Sequence, residues 1–199
     1  MNLPSERSSV PDPPRLRRTA GDRRAQLVQI GLELLPTTPV QELTIDEVAR
    51  RAGISRSLLF HYFATKREYY TAVTRAAADL LWEHLLPRPG TPPDELVAGM
   101  LDRYVGWVET FRETHLAFVR GAAGGDPWVS EVYEETRARL VDVALAALEL
   151  PDDALRRQLV LAWFAFTEDL VGQWVQEPTM TREELLELLR DVLDRLVAR

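Results

Sequence analysis

Between residues 44 and 66 the chain is punctuated so closely that few local structures fit. Thr44-x-x-Glu47 is a capping box, the pattern in which a hydroxyl takes the backbone N–H three residues on and opens a helix. The helix "IDEVARRA" follows, and Gly53 stops it, because a turn there needs a positive φ that glycine adopts cheaply. Ser55 can cap a second short helix. Thr65-x-x-Glu68 is another capping box and opens a long helix to roughly Leu86. Two short helices about a Gly turn make a helix-turn-helix, and the internal spacing is consistent with it. Ala49 is small enough to let the second helix approach, and Val48, Ile54, Leu59 and Phe63 supply a small core.

That core decides what faces outward. With Leu59 and Phe63 inside, the first turn of the second helix presents Ser55, Arg56 and Ser57. Arg can bond guanine with two N–H groups, and Ser can donate or accept at a base edge or phosphate. Thr44 and Lys66, the only Lys in the chain, stand at other helix starts, where free backbone N–H groups favour a phosphate. Arg50 and Arg51 read as a solvated face, since the first helix of such a motif crosses the backbone. Leu58 and Phe60 can pack or meet a thymine methyl.

Outside this stretch the chain also reads helical, with no alternating β-branched runs. Residues 1–17 are Pro- and Ser-rich and read as a disordered arm ending in Arg15, Arg17 and Arg18. Two readings of it stand: a solvated tail, or an arm on DNA phosphates or the minor groove. Thr19 with Asp22 opens a first helix that Pro36 and Pro39 close. After "PRPGTPP", Thr91 caps a helix that runs near His115, followed by a short piece to about Arg120. "GAAGG" at 121–125 is a joint, either hinge or ordinary loop. Helices follow from 126 to 149, from 152 to 176 and from 181 to about 198, making nine or slightly more.

Net charge is −7 over 199 residues, and it is unevenly spread. Residues 1–70 hold 11 Arg/Lys against 8 Asp/Glu, giving +3; residues 71–199 hold 13 against 23, giving −10. Any polyanion contact therefore belongs at the N-terminal end. There is no cysteine, which excludes disulfides and thiolate metal sites and suits a reducing cytoplasm. No apolar leader and no membrane-length apolar run is visible, so no membrane partner is expected.

The stretch "LTIDEVARRAGISRSLLFHYFATKREYYTAV", 43–73, with the amphipathic helix before it, resembles the TetR family of bacterial transcriptional regulators. The shared pattern is a Thr, Ala-x-x-Ala-Gly, a Ser, an aromatic cluster ending in Phe, and a Lys three residues later. The resemblance implies that Thr44, His61, Tyr62 and Lys66 touch phosphates, and that Ser55, Arg56 and Ser57 front the recognition helix. His61 and Tyr62 also admit a packing role, and Lys66 that of a solvated helix start. Departures occur at Ser57-Leu58, where the family often has Gly-Thr, and at Phe60, where it often has Tyr. A hydroxyl is lost at both 58 and 60, so readout here leans on shape or methyl contact.

In the 152–176 helix Leu155, Leu159, Trp163, Phe166, Leu170 and Trp174 recur at helical spacing, and the last helix carries Leu186, Leu193 and Val197 beside a stripe containing Leu189. A second apolar face on a terminal helix implies a partner, although both stripes can also be internal core. Two helices from each protomer would form a symmetric four-helix interface, and the resemblance implies the same homodimer. Recognition helices would then lie about 34–36 Å apart on a near-palindrome. The middle helices hold Trp82, Tyr104, Trp107, Phe111, His115, Phe118, Trp128 and Tyr133. With Trp163 and Phe166 these mark an apolar pocket, against the alternative of plain core packing. The resemblance implies a small-molecule effector that moves the long 65–86 helix and weakens DNA binding.

The expected fold is all-α. It comprises an arm (1–17), a three-helix helix-turn-helix DNA-binding domain (18–65) and a larger helical effector-binding and dimerisation domain (66–199). The expected function is a repressor, released from its operator by the effector. Enzymatic readings lack support: there is no Cys, no HExxH and no Gly-rich phosphate loop, and His61, His84 and His115 fall at no metal spacing. No cofactor or metal is expected. A helical binding module without sequence-specific DNA binding would explain the aromatics but not the helix-turn-helix spacing.

Overall fold

A computed structural model of the chain describes residues 19–198 apart from 39, 41, 89 and 124–126. The arm at 1–17 with Arg15, Arg17 and Arg18, the Pro39 stop, and the Gly124-Gly125 part of the joint lie outside the described residues. Among the described residues there are nine helices and no strand. They are α1 (Ala20–Leu34), α2 (Ile45–Ala52), α3 (Arg56–Tyr62), α4 (Lys66–Leu85), α5 (Pro93–Thr110), α6 (Arg112–Ala123), α7 (Pro127–Ala147), α8 (Ala154–Trp174) and α9 (Arg182–Val197).

Local chemistry sets the helix ends, with some departures from the expected caps. Thr19 with Asp22 and Thr181 with Glu184 form complete reciprocal capping boxes. The boxes expected at 44/47 and 65/68 are only half made. Thr44 and Thr65 accept the backbone N–H of Glu47 and Glu68, but each Glu turns elsewhere. Glu47 takes Arg50 and Arg51, because two guanidinium groups outcompete one amide, and Glu68 accepts from the Ala64 N–H. Thr91 caps nothing. Its hydroxyl donates to the Arg88 carbonyl, and α5 starts at Pro93. The chain breaks at Phe111 rather than near His115, so His115 belongs to α6, as do residues 121–123 of the expected joint. Gly53 adopts φ 65°, ψ 35°, and the Ile54 N–H reaches back to the Ala49 carbonyl at 3.0 Å, closing α2 with a left-handed cap.

One apolar core joins α1, α2, α3 and the first half of α4, with Leu27, Val48, Leu59, Phe63, Tyr69 and Val73 buried, and it extends to Val129 of α7. A second joins α5, α8 and α9 about Val105, Trp163, Val171, Leu185 and Leu189. α4 links the two regions. Its outer face is tied to α7 by Arg75–Glu135 (2.8 Å) and Asp79–Arg139 (3.4 Å). No helix of the described residues is long and apolar enough to cross a membrane.

α1 meets α4 where glycine permits it. A Cβ on Gly31 would stand 2.5 Å from Cγ2 of buried Val73 and 2.7 Å from the Tyr69 hydroxyl oxygen. Gly31→Ala should therefore force α1 off α4 and cost about 1–3 kcal/mol, read as a lower urea midpoint at unchanged slope.

Candidate nucleic-acid interface and ligand cavities

α3 is held from beneath by Leu59, which is fully buried, while Ser55, Arg56, Ser57 and His61 face out. Leu58 is also exposed, at 39%, and this settles its orientation: it is outward apolar surface in the middle of the helix. Phe60 and Tyr62 pack partly against the first core. Tyr62 therefore has a packing role, and His61 meets its ring edge-on at 5.4 Å. Thr44 and Ser55 spend their oxygens as cap acceptors for Glu47 and Leu58, which leaves each O–H to donate. Lys66 stands exposed at the start of α4, its Nζ 4.8 Å from the centre of the Tyr70 ring. Thr44, Ser55, Arg56, Ser57, His61 and Lys66 are thus solvent-facing side chains on the α2–α4 segment. Arg50 and Arg51 sit on Glu47, and their hydrogen bonds, Arg50's first, bring its carboxyl down to about 2. That agrees with a self-paired solvated face.

Two tyrosines at the start of α4 were not singled out from the sequence. The Tyr69 hydroxyl donates to the Leu27 carbonyl of α1 at 2.9 Å, and the Tyr70 hydroxyl donates to the Leu43 carbonyl just before α2. Both are buried, and burial pushes the Tyr69 phenol up, so it remains a donor. The only signal in the sequence is the Tyr-Tyr pair one turn after Thr65.

Two small cavities lie along α4, each enclosing about 60 Å³. The first is walled by α4, α5, α6, α7 and α8, and Tyr104, His115, Phe118, Tyr133 and Trp163 line it as expected. The second lies where α4 and α6 meet Leu35 and Val40 of the N-terminal region, and Trp107, His115 and Phe118 line it. His115, Phe118 and Leu81 are common to both and partition them. Four expected pocket residues line neither. Trp82 lies under the Arg139 guanidinium at 4.0 Å. Phe111 stacks on Trp107 at the surface. Trp128 packs on Tyr70 in the first core. Phe166 is 40% exposed on the far side of α8.

The cavity's polar groups escaped the aromatic signal. Glu168 is mostly buried, accepts from the Tyr133 hydroxyl, and has its carboxyl pushed up by burial. Arg137 donates to the Leu161 carbonyl and lies against the Tyr133 ring, leaving a buried Nε without a partner. Buried Thr167 in the first cavity and Thr74 in the second also carry unpartnered hydroxyls. Thr167 and Glu168 interrupt the apolar stripe Val160–Trp163–Val171, which was the available sequence clue. Among the described residues no cluster of three or more His, Asp or Glu suits a metal.

The expected dimer residues divide. Trp163, Trp174, Leu189 and Leu193 are buried within the protomer, and the Trp163 indole N–H donates to the Leu189 carbonyl at 2.9 Å. They are core, not interface. Leu170, Leu186 and Val197 pack against the same core and are only partly accessible. The apolar surface left exposed is a different stripe. Leu155 is 51% exposed and shares a face with partly buried Leu159, with Ala162 and with Phe166, while α9 contributes Leu188. Three residues advance a helix by 300°, which leaves Phe166 about 60° round α8 from Trp163, and the edge of the protomer core falls between them.

His115 shares a 2.9 Å hydrogen bond with the Tyr104 hydroxyl, and burial lowers its imidazole to about 4. The folded chain keeps it neutral while the unfolded chain takes a proton near pH 6.5, so this group's contribution is full above about pH 6.5 and is lost as pH falls toward 4. Parent stability should fall across that window more steeply than that of His115→Gln, by up to about 1.4 kcal/mol per pH unit, in urea titrations at stepped pH.

Residues 28–73 match the family model described as bacterial regulatory proteins, tetR family, and residues 93–195 match that of the tetracyclin repressor-like C-terminal domain. The HTH-type transcriptional regulator BetI of Klebsiella pneumoniae (strain 342) is 27% identical over 160 residues, covering 77% of this chain and 81% of that protein. A tetR-family transcriptional regulator from Streptomyces coelicolor superposes with TM-score 0.71 at 26% identity, over 89% of this chain and 80% of that one. The multidrug binding protein EbrR, solved with proflavin, superposes with TM-score 0.67 at 18% identity, over 88% and 99%. The helix-turn-helix, the helical C-terminal region and these matches agree: the chain belongs to the TetR family of DNA-binding, ligand-responsive transcriptional regulators.

Proposed function

We propose that this chain is a repressor that binds a near-palindromic operator as a homodimer and leaves it when a small molecule occupies the cavities along α4. One observation carries the reading. The helix that anchors the helix-turn-helix through Tyr69 and Tyr70 also walls both cavities, through Thr74, Ala77, Ala78, Leu81 and Leu85. From Tyr69 to Leu85 is roughly 24 Å of one continuous helix. A ligand that spreads the walls at the Leu85 end tilts or shifts the tyrosine end, and α1–α3 follow. At about 60 Å³ each, the cavities admit only a very small molecule until His115 and Phe118 move, so occupancy and helix movement are linked. The effector needs only about 1–3 kcal/mol of preference for the spread state. That EbrR, of the same fold, was solved with proflavin supports a small-molecule role for this region.

On this reading α1–α3, within 18–65, form the DNA-binding domain, and 66–199 form the effector and dimer domain. Ser55, Arg56 and Ser57 face bases; Thr44, His61 and Lys66 serve the phosphates, and Tyr62, whose ring packs on the first core, can add only its hydroxyl to them. Two copies pair through Leu155, Leu159, Ala162 and Phe166 of α8 with Leu188 of α9. That stripe lies on the side of α8 opposite Phe164 and Glu168, which line the first cavity, so the helix separates a partner from the ligand cavity.

Footprinting on DNA flanking the gene should reveal a near-palindrome with half-sites about 34–36 Å apart. Lys66→Ala should weaken binding to all sequences and lower the salt slope by about 1, whereas Arg56→Ala should cost about 1–3 kcal/mol at one base pair per half-site. Parent-like binding by both variants, or no salt-sensitive specific site, would refute the DNA contacts. The double substitution Leu155→Glu with Phe166→Glu should sediment as a folded monomer with weakened operator binding; a persistent dimer would place the interface elsewhere.

A further inference from the structure

Asp46 is an acidic side chain on a face expected to meet phosphates. It lies in the first turn of α2, and Arg56 is the first residue of α3. Across the turn Arg56 Nη1 donates to Asp46 Oδ2 at 3.1 Å and to Oδ1 at 3.4 Å, and its Cζ lies 5.6 Å from the centre of the Phe60 ring. Arg56 is also the only Arg or Lys on α3, and the two Arg residues of α2 are taken by Glu47.

We infer that Asp46 is a specificity-determining residue that positions Arg56 to read one base pair. The inference rests on Arg56 facing the bases.

Both partners are largely exposed, so the ion pair adds little to folding, and its consequence is geometric. An unheld Arg explores many rotamers and meets any nearby phosphate. Asp46 holds Nη1, and Phe60 flanks the guanidinium. The Nη2 and Nε edge is left to form the paired donors that guanine O6 and N7 accept. The same carboxylate repels phosphates, so an Arg56 without it would bind DNA more readily and less selectively. Phe60 stands where the family often has Tyr, and its ring offers Arg56 a flat face with no competing hydroxyl.

The test uses the full chain as parent, Asp46→Ala, Asp46→Asn and Arg56→Ala. Each is passed through selection from randomised DNA duplexes and then titrated against the parent's best duplex and its single-base variants. Arg56→Ala should abolish preference at one base pair per half-site. Asp46→Ala should weaken preference at that same base pair by about tenfold, with affinity for unrelated duplex unchanged or higher. Asp46→Asn, which keeps an oxygen acceptor, should fall between. An Asp46→Ala protein that gains affinity for every duplex with its preferences intact overturns the inference, leaving Asp46 as a repulsive charge only. Loss of preference at a different base pair overturns it too, because Asp46 would then read a base itself. If Arg56→Ala leaves the motif intact, the base-reading role of Arg56 fails first and the inference with it. Thermal melting of the variants separates any folding defect from these outcomes.

Discussion

Two phenol hydroxyls make the rest of the molecule intelligible. Tyr69 and Tyr70 reach from the first turn of α4 to backbone carbonyls of Leu27 and Leu43. Both tyrosines are buried, so breaking either bond strands a phenol O–H away from water. The helix-turn-helix therefore cannot slide over α4 without breaking hydrogen bonds that water cannot replace. The close packing at Gly31 strengthens this tie, since Val73 and Tyr69 fill the space a side chain would take. Whatever displaces the start of α4 therefore moves α1 and the segment before α2 with it.

The other end of α4 is built differently. There the packing encloses two small cavities divided by His115 and Phe118, with unpartnered hydroxyls on Thr74 and Thr167. Unfilled volume and unmet polar groups both weaken packing, so this end is easier to remodel than the tyrosine end. α8 backs the cavity with Trp163, Phe164, Thr167 and Glu168 and keeps an apolar stripe on its other side. Cavity wall and exposed apolar stripe are thus two faces of one helix.

Much of the fold was legible because its determinants are local. Gly53 in a left-handed turn, hydroxyl caps at Thr19, Thr44, Ser55, Thr65 and Thr181, and the burial of Val48, Leu59 and Phe63 follow from short-range sequence pattern. The errors were of two kinds. Glu47 and Glu68 abandoned their capping boxes for stronger or nearer partners, a competition that spacing alone does not reveal. Trp163, expected in both pocket and interface, is covered and lines the cavity, while Phe166, expected in the pocket, is exposed, because hydrophobicity marks an apolar sector of α8 but does not say which part of it the protomer covers.

The sequence by itself determined the helical class, the helix-turn-helix and which small groups front α3, since caps, turns and amphipathic period act over a few residues. Tertiary structure alone decided the tyrosine ties, the Glu168–Tyr133 pair, the Asp46–Arg56 contact and the exposed stripe at Leu155 and Phe166. Each of these depends on which helix faces which, and that is set by the packing of whole faces across the chain rather than by any local run of residues.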